Sequence, residues 1–525
     1  MKIDSETIVG INRHHNSAVC LLKKGKVEFF LEEERLNRIK YEGISFKNIL
    51  YLKELIDKLN GIALAGMKPL VEEIEDNFNY NLYSFLLLRT LTKSDDKHTI
   101  VEKNFVKEHH LTHAAGAFYN SGFDSALSIV FDGDGTYQDN GMTEGTSCYY
   151  FDYNQYKIID KQFQTLTDNF SLGKYYEKIC LHLGFKNWQS AGKVMGLSSY
   201  GKDSNIDFED FIKKDEKHPL YKKTRNLKDF QESANLAFAL QKFTQKKALD
   251  IVLKMVEKTN IKNICLSGGY VLNCVANYYL KKHLPKDINL YVEPISSDAG
   301  TAMGAAKLLY YQITKSSDKY PQKNIYYGIK YKNNEILKPL QREKTKTVSV
   351  KDVAKLLSQD KIVAVFQGRS EAGPRALGNR SILFNPTKNN GKDIVNKVKH
   401  REFYRPFAGT ILHEHTKNYF DMAGLDESPF MMYAVNVKKN KIKEIPAITH
   451  VDNTCRIQTL KKDFNINFYN LINEFYKITG IPILLNTSFN LAGEPMVESI
   501  EDALNTLHKS KINYLYLPEY HLLIE

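Results

Sequence analysis

Tryptophan occurs once and cysteine six times in 525 residues, and no apolar run approaches the roughly 20 residues that a membrane-spanning helix needs. The cysteines, Cys20, Cys148, Cys180, Cys265, Cys274 and Cys455, are scattered, with no CxxC pair and no dense framework. That pattern argues against a disulfide scaffold and for reduced thiols that behave as small buried hydrophobes. No charged segment followed by a short apolar core opens the chain, so a cytoplasmic protein is expected. Internal sequence repeats and low-complexity tracts are missing as well.

What is present is a long, mixed chain. Its length is too great for one ordinary core, and at least two domains are expected. Lysine and arginine number 73 against 61 acidic residues, a formal net charge of +12. This balance favours anionic partners such as nucleotides, phosphates or nucleic acid. The cations are spread among plentiful Asp and Glu, however, and a solvated surface explains most of them.

The stretch EHHLTHAAGAF, from Glu108 to Phe118, crowds three histidines together. On a helix His109 and His113 share one face, which is metal-ligand spacing. Among 15 histidines such a pair arises easily by chance, so another donor has to converge on it. SALSIVFDGDGT follows, an apolar run that reads as a buried strand ending at Asp132, where open α/β sheets hold their ligands. Two imidazoles and a carboxylate leave coordination positions open, as a catalytic or substrate-binding ion requires. In YVEPISSDAGTAMGAA, Asp298 is either a further ligand or the N-cap of a small-residue helix, and local pattern does not separate the two.

Other segments carry polar groups at the ends of apolar runs. TIVGINRHHNSAVCLLKKGKVEFFLEEERLNRIK reads as a strand, a polar turn containing His15, a second strand, a Lys-Lys-Gly hairpin and a third strand entering a helix. Residues 44 to 100 alternate at helical spacing and are expected to form helical insertions. SAGKVMGLSSYGK is glycine-punctuated and reads as a loop, with Lys193 placed to meet an anion. NICLSGGYVLNCVAN is a strand, Gly268-Gly269 and, after Asn273, a helix start, the layout that brings backbone close to a nucleotide.

The chain between about Tyr320 and Thr347 is lysine- and asparagine-rich, as a connection between domains would be. After it, QGRSEAGPRALGNRSILF carries Arg369, Arg375 and Arg380 among glycines. Three guanidiniums held so close favour an anion between them. KHREFYRPFAG adds Lys399, His400, Arg401 and Arg405; HVDNTCRIQTL adds His450, Arg456 and Gln458; and GIPILLNTSFNLAGEP releases Asn486, Thr487 and Ser488 at a strand end.

Taken in order, HHLTHAA, FDGDG, AGKVMGL, LSGGYVLNC, SSDAGTAMGAA, GPRALGNRSIL, KHREFYRPFAG, HVDNTCRIQTL and LNTSFNLAGEP resemble the O-carbamoyltransferases typified by the nodulation-factor and the tobramycin- or cephamycin-carbamoylating enzymes, over nearly the whole chain. The resemblance implies an α/β protein. A large duplicated actin/sugar-kinase-like domain, 1–343, is similar to the metal subunit that makes threonylcarbamoyl-adenosine in tRNA, and a smaller YrdC-like α/β domain, 344–525, follows it. It implies an ATP-dependent enzyme that forms carbamoyl-adenylate from carbamoyl phosphate in the second domain and passes the carbamoyl group to an acceptor hydroxyl in the first. His109, His113, Asp132 and Asp298 then correspond to the ligands of a divalent metal, iron first, with zinc or manganese as alternatives.

By the same resemblance Arg375, Arg380, Lys399, Arg401, Arg405, Arg456, Asn486 and Ser488 correspond to the carbamoyl phosphate and ATP site, with Mg2+ accompanying ATP. Gly268, Gly269 and Asn273 belong to the nucleotide-contacting turn, Lys193 and Arg375 are catalytic candidates, and His15 is the general base. Asn16 stands where the family commonly has Asp, and a neutral amide cannot act as base or carry charge. The expected partners are ATP, carbamoyl phosphate and a hydroxyl-bearing acceptor, a small molecule or a hydroxymethylated base of DNA. A homodimer is left open and no membrane is involved. The competing expectations are a tRNA threonylcarbamoyl-type transferase and a non-catalytic nucleotide- or nucleic-acid-binding protein.

Overall fold

The computed structural model describes residues 7–43, 46–56, 58–67, 100–138, 140–165, 169–203, 206–208 and 229–525. Packing divides the chain into two compact units that interleave along the sequence. The first comprises Met1–Tyr175, Asp250–Leu272 and Pro285–Tyr327, and the second Tyr176–Leu249, Asn273–Leu284 and Gly328–Glu525. The expected division at 343/344 is one of family domains; packing cuts the chain elsewhere.

Two five-stranded sheets build the first unit. Strands β1 (Thr7–Asn12), β2 (Ala18–Lys23), β3 (Lys26–Glu32), β4 (Gly61–Ala65) and β5 (Val101–Asn104) lie in the order β3-β2-β1-β4-β5. The first three run antiparallel, and β4 and β5 run parallel to β1. Strands β6 (Ser125–Phe131), β7 (Thr143–Asp152), β8 (Tyr156–Gln164), β9 (Asn263–Ser267) and β10 (Asn289–Val292) repeat that order and those directions, with β6 in the place of β1. The duplication that the resemblance implied therefore appears as strand order, although no sequence repeat announces it. Lys24 and Gly25 both take positive φ, which fits the two-residue hairpin read from Lys-Lys-Gly.

Helix Ala299–Thr314 packs on β1, β2 and β4, helix His109–Ser121 packs on β6 and β9, and the two helices pack on each other. Their small residues permit this close approach: a methyl on Gly304 would overlap the Thr112 carbonyl oxygen, and one on Gly10 the Ala302 carbonyl oxygen. The helix that carries both candidate histidines is thus clamped between a sheet and a second helix.

The second unit is built on a ten-stranded mixed sheet. Its strands are β11 (Thr345–Thr347), β12 (Val363–Phe366), β13 (Arg380–Phe384), β14 (Ala408–Leu412), β15 (Phe420–Asp421), β16 (Ala434–Val437), β17 (Thr454–Leu460), β18 (Ile483–Ser488), β19 (Tyr514–Leu517) and β20 (Leu522–Ile524), ordered β11-β20-β19-β12-β13-β18-β14-β17-β16-β15. Helices Val350–Ser358 and Ile466–Thr479 bury Val353, Leu357, Phe468, Leu471 and Phe475 against it. The first of these helices begins with a reciprocal Ser349–Asp352 capping box.

Several local expectations change. The segment around Lys193 is a helix, Ala191–Ser198, not a loop, and the lysine-rich connection contains the helix Asn333–Leu340. Within 44–100, Lys47–Leu55 is helical but Gly61–Ala65 is a strand, while 44–45, 57 and 68–99 lie outside the described residues. Among the described residues no helix is long and apolar enough to cross a membrane.

Candidate functional site

His109 and His113 project from one face of their helix, buried, with ring centroids 4.7 Å apart. Asp132 reaches them from the end of β6: its Oδ2 lies 3.3 Å from His109 Nε2 and 3.5 Å from His113 Nε2. Asp298 closes the set, its Oδ1 lying 3.6 Å from His113 Nε2 and 3.9 Å from His109 Nε2. Asp298 sits at the N-cap position of its helix but makes no side-chain capping bond. Its carboxylate is therefore directed at the histidines and not at the helix N-terminus, which sets the N-cap reading aside.

Four donors bound tetrahedrally at about 2.1 Å would stand about 3.4 Å apart, close to the spacings found here. Among the described residues His113 Nε2 is buried with no hydrogen-bond partner, as a ring nitrogen awaiting an ion would be. Burial opposes charge on His113, but Asp132 and Asp298 beside it prevail and raise it to about 9. Burial likewise pushes Asp132 up, yet the imidazoles of His109 and His113 beside it hold it ionised, well below the usual carboxylate range. For Asp298, burial is outweighed by His15 and then His109. Two ionised carboxylates in a buried pocket are stabilised by neighbouring positive charge, and the residues present fit a divalent metal of the kind that nitrogen and oxygen ligands hold.

Gly268 and Gly269 border this centre. Gly268 takes φ +96, and a side chain there would strike the Phe131 carbonyl; the Gly269 N–H donates to Asp132 Oδ1 at 2.9 Å. These glycines position Asp132, a role not read from their nucleotide-turn pattern. His15 Nε2 lies 2.9 Å from Asp298 Oδ2, on the more exposed side of the centre. The carboxylate beside His15 thus comes from Asp298, so the neutral Asn16 does not deprive the imidazole of one.

In the second unit Lys193, Arg375, Arg401, Arg405 and Arg456 form a cationic cluster. Burial and then Arg456 and Arg405 lower Arg375 to about 9, and burial with Arg405 and Arg456 lowers Arg401. Glu402 is the carboxylate among them, 2.6 Å from Lys193 Nζ and 3.6 Å from Arg405. A small cleft adjoins the cluster, lined by Ser199, Cys274, Pro406, His450 and Arg456 among others. Such crowding of like charge is relieved by an anion.

Some expected site residues lie elsewhere. Arg380 is fully buried and donates to the backbone carbonyls of Gln367, Gly368, Asn379 and Glu498, with its guanidinium 3.7 Å from the centre of the Phe366 ring. Its donors are committed to the fold and not to a phosphate. Asn273 caps helix Cys274–His283 through Ala276 N and donates to Tyr176 and Gln241. Lys399 is buried against the Ser488 carbonyl and Asn490. Asn486 donates to Ala376 O at 3.2 Å and Thr410 Oγ1 at 2.9 Å, supporting the loop that carries Arg375.

The family models for the carbamoyltransferase N-terminus and C-terminus match residues 51–231 with 204–307, and 354–523, respectively. An uncharacterised protein of Methanocaldococcus jannaschii is 34% identical, covering 98% of this chain and 99% of its own. The chain belongs to the carbamoyltransferase family. The nodulation protein NolNO of Sinorhizobium fredii is 31% identical to this carbamoyltransferase over 96% of the chain and 78% of its own length, and the 3'-hydroxymethylcephem-O-carbamoyltransferase of Amycolatopsis lactamdurans is 25% identical over 94% and 95%.

Sequence reasoning passed over three residues of this carbamoyltransferase. Glu371 is buried, and its Oε1 accepts the backbone N–H groups of Leu377, Asn379 and Arg380 at 2.7, 2.8 and 3.3 Å, which shapes the GPRALGN loop. A lone acid beside a glycine-rich arginine loop was the available signal. Ser267 Oγ lies 3.4 Å from His113 Nδ1, and His14 lies beside His15; neither has a local signature.

Proposed function

We propose that the enzyme is an ATP-dependent O-carbamoyltransferase in which the arginine cluster of the second unit forms carbamoyl-adenylate from carbamoyl phosphate and ATP, and the first unit transfers the carbamoyl group to an acceptor hydroxyl. The observation that supports this reading is the grouping of two histidines with two carboxylates in one unit and of five cations in the other. Two polyanions repel each other, and Arg375, Arg401, Arg405, Arg456 and Lys193 supply the neutralising charge that bringing them together needs.

His109, His113, Asp132 and Asp298 would hold a divalent ion, iron, zinc or manganese, and when bound it supplies Lewis acidity toward a carbonyl or phosphoryl oxygen. His15 is the proposed general base. Burial lowers its proton affinity, but the neighbouring Asp298 raises it overall, so the imidazole can take the acceptor's proton and share its charge with that carboxylate. Gly269, through its N–H, keeps Asp132 aimed inward.

Labelled carbamoyl phosphate, ATP and a panel of hydroxylated acceptors test the scheme. His113→Ala is expected to abolish transfer yet leave carbamoyl phosphate-dependent pyrophosphate release, whereas Arg375→Ala blocks that release itself. Equal loss of both steps in both variants contradicts the division. Sugars and natural-product hydroxyls are the acceptors proposed first. A hydroxymethylated base in DNA is the other, and it requires binding that weakens steeply with salt; no duplex shift in a low-salt gel removes it.

A further inference from the structure

We infer that the first unit carries a second metal position, formed by His14, His15 and Asp298, with Asp298 bridging it to the four-residue set. The inference rests on the metal reading above for the bridging carboxylate, and on its own three residues for the site. One ligand atom from each of His14, His15 and Asp298 lies within 4.8 Å of the others.

Asp298 divides its two oxygens. Oδ1 faces His113 and His109 at 3.6 and 3.9 Å, and Oδ2 faces His15 Nε2 at 2.9 Å. Oδ2 is engaged by His15 as an ion pair, whereas His14 Nδ1 is buried with no hydrogen-bond partner among the described residues. A buried ring nitrogen without a hydrogen-bond partner is costly unless something binds it. The turn that presents the two imidazoles is already fixed: Asn12 Nδ2 donates to the carbonyls of His15 and Asn16, and Asn12 Oδ1 accepts from His14 N, each at 3.2 Å. A carboxylate shared between two ions about 3.5–4 Å apart is the ordinary arrangement of a two-metal site.

Two imidazoles and one carboxylate oxygen suit a borderline divalent ion and leave positions for water or an anion. The two carboxylates of the centre offset one divalent charge. A second ion therefore brings uncompensated positive charge next to Arg13, and it binds at least about tenfold more weakly than the first. While it is present, the His15 nitrogen that would accept the acceptor's proton is engaged. Free divalent metal thereby acts on the transfer step.

The full-length protein, stripped with chelator, is titrated with Zn2+ by calorimetry, with equilibrium dialysis and elemental analysis for stoichiometry. Two ions per chain in a tight and a weak step are expected, with His14→Ala keeping the tight step and losing the weak one. Under Mn2+, loading the second step is expected to broaden or quench the spin resonance signal of the first. One ion per chain at saturation, or two ions persisting in His14→Ala, overturns the second position while leaving the four-residue centre intact. No ion at all overturns both. Where His14→Ala fails to fold, His14→Gln keeps the side-chain bulk, and two ions there overturn the inference equally.

Discussion

His113 Nε2 can act as a ligand only if the other ring nitrogen carries the proton, because a neutral imidazole has one donor and one acceptor. Ser267 Oγ, buried at the end of β9 and 3.4 Å from Nδ1, is positioned to accept that proton. Ser267→Ala removes the acceptor and frees the ring to choose the wrong tautomer. Outer-shell partners of metal-bound histidines are typically worth 10–100-fold in affinity, roughly 1.4–2.7 kcal/mol. At this long separation the hydrogen bond is weak, so the lower end applies: about tenfold, or ~1.4 kcal/mol. Competition against a chromophoric chelator measures it, with metal-free unfolding in urea as the stability control. The expected result is a tenfold weaker metal constant and an almost unchanged unfolding midpoint. Ser147→Ala is the internal comparison. Ser147 makes the equivalent 2.8 Å contact to His110 Nδ1, yet His110 Nε2 stands 4.0 Å from Asp132 and is outside the four-residue set, so metal affinity is expected to change less than about threefold. Equal effects of the two substitutions, or none in Ser267→Ala, would refute the tautomer argument.

Three further outcomes follow from the packing. Glu371→Ala leaves three buried N–H groups without an acceptor and is expected to lower stability by about 3 kcal/mol or more, read as a shift in the denaturant midpoint, because Leu377, Asn379 and Arg380 all donate to that carboxylate. Gly304→Ala drives a methyl into the Thr112 carbonyl of the histidine helix; a loss of about 1–3 kcal/mol and weaker metal retention are expected together, and weakened stability with unaltered metal affinity would show that the helix contact does not set the site. Arg380→Lys cannot supply the several directed donors of a guanidinium to backbone carbonyls and is expected to cost about 3 kcal/mol, with the KM for ATP in the folded enzyme unchanged; a large rise in that KM would return Arg380 to the nucleotide site.

What the sequence made legible, and what it did not, divides according to how far the deciding contact lies along the chain. The i,i+4 histidines and the strand-end Asp132 are local features, and a buried helix and strand place them much as spacing alone suggests. Asp298 is different, since a ligand and an N-cap look alike until the partner of the side chain is known. The segment AGKVMGLS carries two glycines and reads as a loop, yet it is helical, with Gly196 fitted against Pro406; packing overrides weak propensity there. Arg375 and Arg380 make the point most sharply. They belong to one motif and carry the same side chain, but β13 begins at Arg380, where pairing with β12 and β18 turns the guanidinium toward the carbonyls of Gln367 and Glu498. Arg375, still in the loop that Glu371 holds, remains beside Arg405 and Arg456. Which arginine is committed to backbone carbonyls and which stays beside other arginines is therefore set by strand registry and by a carboxylate's backbone bonds, neither of which residue type or spacing encodes.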